Sequence, residues 1–252
     1  MTNVIISGSS GKMGRVLTDM IAQQPDIRIV AGFDPSPAPG SSFPVFQSPA
    51  DCSVSADCII DFSHPSALTG LLDFCKKTGC GIILATTGYS PEQLEEIEAA
   101  SKSLRIFRSA NMSLGINVLM ALVRQTAKIL GDSWDIEIVE KHHNRKLDAP
   151  SGTALMLADA INEQNDGAYH YVYDRSSVRQ KRDPKEIGIS SVRGGSIVGD
   201  HEVLFCGPDE VITLKHTAYS RSIFANGAIN AAVYLAKKEP GLYNMGDLIA
   251  SI

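Results

Sequence analysis

The feature that most constrains this chain is a short apolar strand running straight into a glycine turn. Val4-Ile5-Ile6-Ser7 is followed at once by Gly8-Ser9-Ser10-Gly11-Lys12-Met13-Gly14. Met13, Val16, Leu17, Met20 and Ile21 then recur at helical spacing up to Pro25, and Ile27 to Phe33 form a second apolar run ending at Asp34. Strand, glycine turn, helix and strand make a dinucleotide-binding unit of a parallel sheet. Gly8 permits the tight turn, Gly11 lets the backbone approach a pyrophosphate, and Gly14 lets helix and strand pack closely. Asp34 stands where a carboxylate can accept from the adenosine ribose hydroxyls. The glycine spacing is G-x-x-G-x-x-G, not the commoner G-x-G-x-x-G, so the triplet alone would be only a turn; the flanking elements and Asp34 make it a cofactor site. A carboxylate followed by Pro35 repels a 2′-phosphate and favours NADH, while Lys12 and Arg15 leave NADPH open.

Pro35 to Ser53 is rich in Pro, Ser and Gly and reads as a surface loop. Cys58 to Phe62 is the third strand, and Ser63-His64-Pro65 opens a helix through Lys77, with Ser63 as its N-cap. Gly81 to Ala85 is the fourth strand, ending in Thr86-Thr87-Gly88. Pro91 to Lys102 is an acidic, solvated helix, and Arg105 to Phe107 the fifth strand, followed by Ser109-Ala110-Asn111-Met112. Small polar residues at three strand ends point to one crevice at the carboxyl edge of the sheet. Leu114 to Leu130 is a long apolar helix, and the change of domain falls near Met112.

Asp135 to Val139 alternates polar and apolar residues, as a half-buried strand does. Then Glu140 to Thr153 gathers His142, His143, Arg145 and Lys146 just ahead of Ser151-Gly152-Thr153 and an apolar helical run. Ser151 or Thr153 is placed to cap that helix, whose free N–H groups favour a carboxylate or phosphate. The segment reads as a receptor for a small acidic molecule with a proton donor built in. A metal site is disfavoured, because strand neighbours such as His142 and His143 point to opposite faces and no further ligand is spaced nearby. A merely solvated basic loop would not need a helix start aimed at the same spot. Ile187 to Val192, Ser196 to Phe205 and Glu210 to Thr217 follow as strands without helices between them, which predicts an antiparallel or mixed sheet. Arg193-Gly194-Gly195 to His201 reads as a glycine hairpin, and His201 and His216 as structural histidines. Ser222 to Ala236 is a last helix that returns to cover the first domain.

The net charge of −5 offers no basic footprint for nucleic acid or a membrane surface, and no apolar run reaches spanning length. Attraction for an anionic substrate must therefore be local. The chain opens directly into a strand, with no signal peptide in view, and its five cysteines include no Cys-x-x-Cys pair, so free thiols and a cytoplasmic setting are expected.

These motifs, in this order, resemble the 4-hydroxy-tetrahydrodipicolinate reductase (dihydrodipicolinate reductase) family. The match runs through Gly8 to Gly14, Asp61-Phe62-Ser63, Thr86-Thr87-Gly88, Ala110-Asn111, Glu140 to Ala154, Arg193-Gly194-Gly195, Gly199-Asp200-His201 and Phe224 to Ala228. The segment from Glu140 is the specific one; the glycine turn is not. The resemblance implies an α/β fold: a Rossmann-type parallel sheet over residues 1–112 and 222–252, and an α+β substrate and oligomerisation domain with an open mixed sheet over 113–221. It implies His142 and Lys146 as catalytic proton carriers, and His143, Ser151, Gly152 and Thr153 as substrate contacts. It implies Gly8, Ser9, Ser10, Gly11, Lys12, Met13, Asp34, Ala85, Thr86, Thr87, Ser109, Ala110, Asn111 and Met112 around NADH or NADPH, with no metal. A small dicarboxylate substrate and a homotetramer are further implications, and the hydride chemistry adds the expectation that the two domains close to exclude water. Some members carry Arg after the acidic residue where this chain has Pro35, which again favours NADH. Two rivals differ: another two-domain nicotinamide dehydrogenase, disfavoured by the His-His-x-x-Lys and Ser-Gly-Thr constellation, and a dinucleotide-sensing protein, disfavoured by intact His142 and Lys146.

Overall fold

The computed structural model describes residues 1–251. Along the chain lie β1 (Thr2–Ser7), α1 (Lys12–Ile21), β2 (Ile27–Phe33), β3 (Val45–Phe46), β4 (Cys58–Asp61), α2 (Leu68–Thr78), β5 (Gly81–Leu84), α3 (Pro91–Ser101), β6 (Arg105–Arg108) and α4 (Leu114–Leu130). They are followed by β7 (Asp135–His142), α5 (Gly152–Asn162), β8 (His170–Val172), β9 (Glu186–Arg193), β10 (Gly199–Cys206), β11 (Val211–Ala218), α6 (Ser222–Leu235), β12 (Gly241–Tyr243) and α7 (Met245–Ile249). Two compact units result: Met1–Leu114 together with the chain from Ser222 onward, and Gly115–Arg221.

The first unit is a parallel sheet of seven strands in the order β12-β6-β5-β4-β1-β2-β3. Its central strands are apolar throughout: all four residues of β4 and of β5 are buried, as expected when helices cover both faces. One face packs Leu17 and Ile21 of α1 with Ala228, Ile229 and Ala232 of α6. The other packs Leu71 and Phe74 of α2 and Ile97 of α3, with Phe74 edge-on to Phe33 at 5.4 Å.

Several local expectations need correction here. The segment Pro35 to Ser53 holds β3, whose register with Gly32 and Phe33 extends the sheet; two residues are too few to show a period. Ser63 does not cap the next helix: its hydroxyl donates to Asp61 at 2.5 Å, while the His64 ring accepts from the Ser66 amide and opens a 3₁₀ turn ahead of α2. The edge strand β12 and the helix α7, capped reciprocally by Asn244 and Asp247, span only three and five residues, too few to repeat a period.

The second unit is a mixed sheet in the order β11-β10-β7-β9-β8, parallel between β7, β9 and β8 and antiparallel on the β10 side. Helices α4 and α5 pack on one face, around Val123, Ile136, Ile138, Leu157, Ile189 and Phe205. β9 and β10 do not form a hairpin, because β7 lies between them. The glycines instead carry the chain across the end of β7: the Gly194 amide donates to the His142 carbonyl at 2.9 Å, and the Asn144 amide to Gly195 at 3.3 Å. Their turn residues suit a crossing as well as a hairpin, so only the strand order distinguishes the two.

Candidate active site

Two sites are built, one in each unit. In the first, Gly8 adopts φ +79°, a left-handed conformation that favours glycine, and its amide donates to Phe33 at 2.8 Å. A Cβ on Gly14 would lie 2.4 Å from the Gly8 carbonyl oxygen, so only glycine lets α1 start this close to the turn. Gly11 caps α1 without a side-chain bond, and the amides of a helix start turn toward an anion. The Asp34 carboxylate accepts from the Ser10 amide and from the Ser36 amide, both at 2.9 Å. It therefore clamps the glycine turn first, and each oxygen keeps lone-pair capacity for a ribose hydroxyl. The Ser9 hydroxyl is buried with no partner among the described residues. A cleft of about 250 Å³ beside the turn is lined by Ser9, Ser10, Arg15, Ser41 and Phe43 among others. A glycine cradle that a Cβ would fill, an open helix start and an unpaired buried hydroxyl fit a dinucleotide.

The strand ends complete this site. The sheet order reverses direction between β1 and β4, where open α/β sheets bind ligands. Asp61, the last residue of β4 and buried, accepts from the Thr86 hydroxyl at 2.7 Å, the Ser63 hydroxyl at 2.5 Å and the Tyr89 phenol at 3.4 Å. It ties the β4 and β5 loops together, and burial together with this carboxylate pushes the Tyr89 phenol up, keeping it a donor. A cleft of about 230 Å³ gathers Phe62, Ala85, Thr87, Ser109, Ala110, Asn111, Met112 and Phe224. A Cβ on Gly227 of α6 would strike the Met112 carbonyl, so that glycine lets the β6 loop settle on the helix.

In the second unit, β7 alternates strictly between exposed or half-buried and buried positions. The alternation that sends Ile136 and Ile138 into the core sends Glu140 and His142 after them, on the same face at the strand's end. Glu140 has no exposed surface. Its Oε2 lies 2.6 Å from His142 Nδ1, and its Oε1 accepts from the Ser151 amide at 3.1 Å. Arg193, opposite His142 on β9, grips both oxygens at 2.8 and 2.6 Å. Burial pushes the Glu140 carboxyl up, but Arg193, His142 and Ser191 outweigh it and hold it at about 2. His201, opposite Glu140 on β10, stands edge-on to His142 with ring centres 5.1 Å apart and has Nε2 3.0 Å from the Ser151 hydroxyl. Burial, then the neighbouring His142, pushes His201 down to about 4, so it is neutral near pH 7.

Ser151 is the N-cap of α5: its hydroxyl accepts from the Ala154 amide at 3.2 Å, and Gly152 and Thr153 occupy the first turn. The His142 ring and the start of α5 thus share one carboxylate. His143 follows the end of β7, and its Nδ1 is buried without a partner among the described residues. Burial, then Arg145, Arg221, His142 and Lys146, lower its pKa. Lys146 pairs with Asp148 at 2.8 Å. Among the described residues, no group of three His, Cys, Asp or Glu side chains could hold a metal ion.

Sequence reasoning placed Glu140, Asp61, Arg193 and His201 within motifs but gave them no part in a site, and it passed over Arg221. The polar continuation of an alternating strand could have flagged Glu140, and an acid ending an all-apolar strand could have flagged Asp61. Arg193, Arg221 and His201 carry no local signal, because strand pairing and chain crossings bring them in.

Comparison with known proteins agrees with this architecture. The family description "Dihydrodipicolinate reductase, N-terminus" matches residues 2–112 and "Dihydrodipicolinate reductase, C-terminus" matches residues 115–249. The chain is 50% identical over 249 residues to a 4-hydroxy-tetrahydrodipicolinate reductase of Caldanaerobacter subterraneus subsp. tengcongensis, covering 99% of this chain and 98% of the relative. It is 47% identical to one of Clostridium tetani, covering 100% and 98%. Among solved structures, a dipicolinate-bound dihydrodipicolinate reductase from Paenisporosarcina sp. superposes with a TM-score of 0.79 over 97% of each chain at 24% identity, a likeness of fold. No helix among the described residues is long and apolar enough to cross a membrane. With both halves of the family description matched and relatives this similar over the whole length, the chain belongs to the dihydrodipicolinate reductase family of nicotinamide-dependent oxidoreductases.

Proposed function

We propose that the protein reduces 4-hydroxy-tetrahydrodipicolinate, a cyclic imine dicarboxylate, with loss of water, as its relatives' name describes. The observation that carries this reading is the buried His142 tied through Glu140 to the start of α5. Such a site offers a proton and a place for a carboxylate within one rigid circuit of bonds.

The bound nicotinamide supplies the hydride. Loss of the ring hydroxyl as water leaves a conjugated imine, hydride adds at ring C4, and the electron pair displaced by it forms an enamine. His142 gives the enamine carbon a proton, so one hydride and one proton are taken up and one water leaves. The α5 start with Ser151, Gly152 and Thr153 holds one carboxylate, and the cations around His143 attract the other. Lys146 exchanges Asp148 for substrate when it acts as anchor or proton donor. Asp34 favours NADH, and Arg15, which lines the neighbouring cleft, is the cation best placed to admit some NADPH. Val192 and Val211, exposed on strands of the second sheet, support reading that sheet as the tetramer contact.

The test follows reduced-nicotinamide absorbance while the preceding synthase generates the substrate from pyruvate and aspartate semialdehyde. Synthase-dependent oxidation, faster with NADH than NADPH, is expected, and the gap should narrow in Asp34→Asn. No oxidation with either cofactor, from folded protein that binds them, would overturn the reading.

A further inference from the structure

We infer that Glu140 is a positioning residue: its carboxylate holds His142 in the form protonated at Nδ1, makes Nε2 the atom that carries the mobile proton, and fixes that ring to the α5 start. The inference rests on reading His142 as the proton donor.

Two nitrogens of Arg193, the Ser151 amide and the Ser191 hydroxyl converge on Glu140, and His142 Nδ1 lies 2.6 Å from its Oε2. A carboxylate has about four lone-pair directions, so the group is saturated. Gripped by a guanidinium fork it stays ionised, and an ionised carboxylate only accepts. The ring nitrogen facing it must therefore bear hydrogen, and the other nitrogen takes and gives the proton. That nitrogen faces a residue without a side chain: residue 199 is glycine, and a Cβ there would stand 3.2 Å from His142 Nε2. The charged and titratable groups facing the ring are Glu140 on its own strand, His143 beside it, Arg193 from β9 and His201 from β10. Without the Glu140 charge the ring would face only cations and neutral imidazoles, and its protonated form would lose its counter-charge. Arg193 is needed in turn because an unpaired buried carboxylate would take up a proton and could then donate to the ring. A buried ion pair kept only for folding would need neither His142 nor Ser151 on the same carboxylate.

The experiment uses the full chain with ¹⁵N-labelled histidine, loaded with NADH, and reads the His142 ring by NMR beside steady-state kinetics. In the wild type the ring should carry hydrogen on Nδ1. Glu140→Gln should lose that single tautomer, lower kcat about 10²-fold, raise the substrate KM several-fold and leave NADH affinity unchanged. The high-pH limb of its kcat profile should move to lower pH, a change that a purely structural role would not produce. Arg193→Lys keeps a cation but not the fork, and should show the same changes to a smaller degree; it serves as the second variant if Glu140→Gln does not fold. A wild-type ring protonated at Nε2 alone overturns the inference, and so does a variant of either residue with unchanged kcat and pH limb. If the wild type shows the Nδ1–H ring but reduces no imine substrate, the proposed reaction fails and the tautomer assignment stands.

Discussion

The cofactor cradle of the first unit is made by leaving side chains out, and the ionic cluster of the second by forcing side chains in. Gly8 and Gly14 act through the absence of a Cβ, and the ligand groups they expose are backbone amides. Glu140, His142 and His201 bring buried ionisable groups together from two strands, and the half-buried Arg193 joins them from a third. Backbone amides offer binding independent of pH and no proton to transfer. Buried titratable groups give chemistry at the cost of desolvation, which must be offset by pairing. Cofactor binding and proton transfer should therefore separate between the two units, and perturbations should distinguish them.

The largest expected effect is on turnover. His142→Ala should lower kcat by about 10²- to 10⁴-fold while calorimetry finds NADH affinity nearly unchanged. A matching loss of NADH binding would break the comparison.

Acid should come next, acting on the second unit. His201 has its pKa pushed down to about 4 from an ordinary 6.5, so the unfolded chain takes up the proton first. Its contribution is complete above about pH 6.5 and lost as pH falls through about 4. Glu140, held at about 2 against 4.5, contributes above its unfolded value and loses that contribution as pH falls through about 2. Each window is worth on the order of 3 kcal/mol. The sole tryptophan, Trp134, lies in the second unit, so its fluorescence reports melting there. The midpoint should fall in two steps on acidification, and His201→Gln should remove the upper one.

Gly14→Ala is the smallest of the three and belongs to the first unit. The added methyl meets backbone oxygens that cannot move without shifting the turn. A loss of about 1–3 kcal/mol in stability or NADH affinity is expected, with kcat at saturating NADH retained. Unchanged binding would mean that the turn does not hold the cofactor.

The two sites also differed in how far they could be read in advance. The glycine turn, Asp34 and the helix start at Ser151 are local features, and each carries its geometry within a few residues. Even there the structure adds a role: Asp34 is engaged first by the turn amides at Ser10 and Ser36. Ser63 and His64 show how finely local reasoning can miss, since both are capping residues and only the pull of Asp61 decided between them. The glycine hairpin failed for a different reason: turn residues say that the chain reverses, not which strand stands beside it.

By itself, then, the sequence determined the strand, turn and helix of the cofactor unit, the alternation that buries one side of β7, and the residue types of the segment from Glu140 to Thr153. These follow from steric rules at neighbouring positions, which hold whatever the rest of the chain does. Tertiary structure alone decided that β7 would run between β9 and β10, and with it the meeting of Glu140, Arg193 and His201. Strand order is set by the total apolar area and hydrogen bonding of the finished sheet, a quantity that belongs to no single stretch of residues.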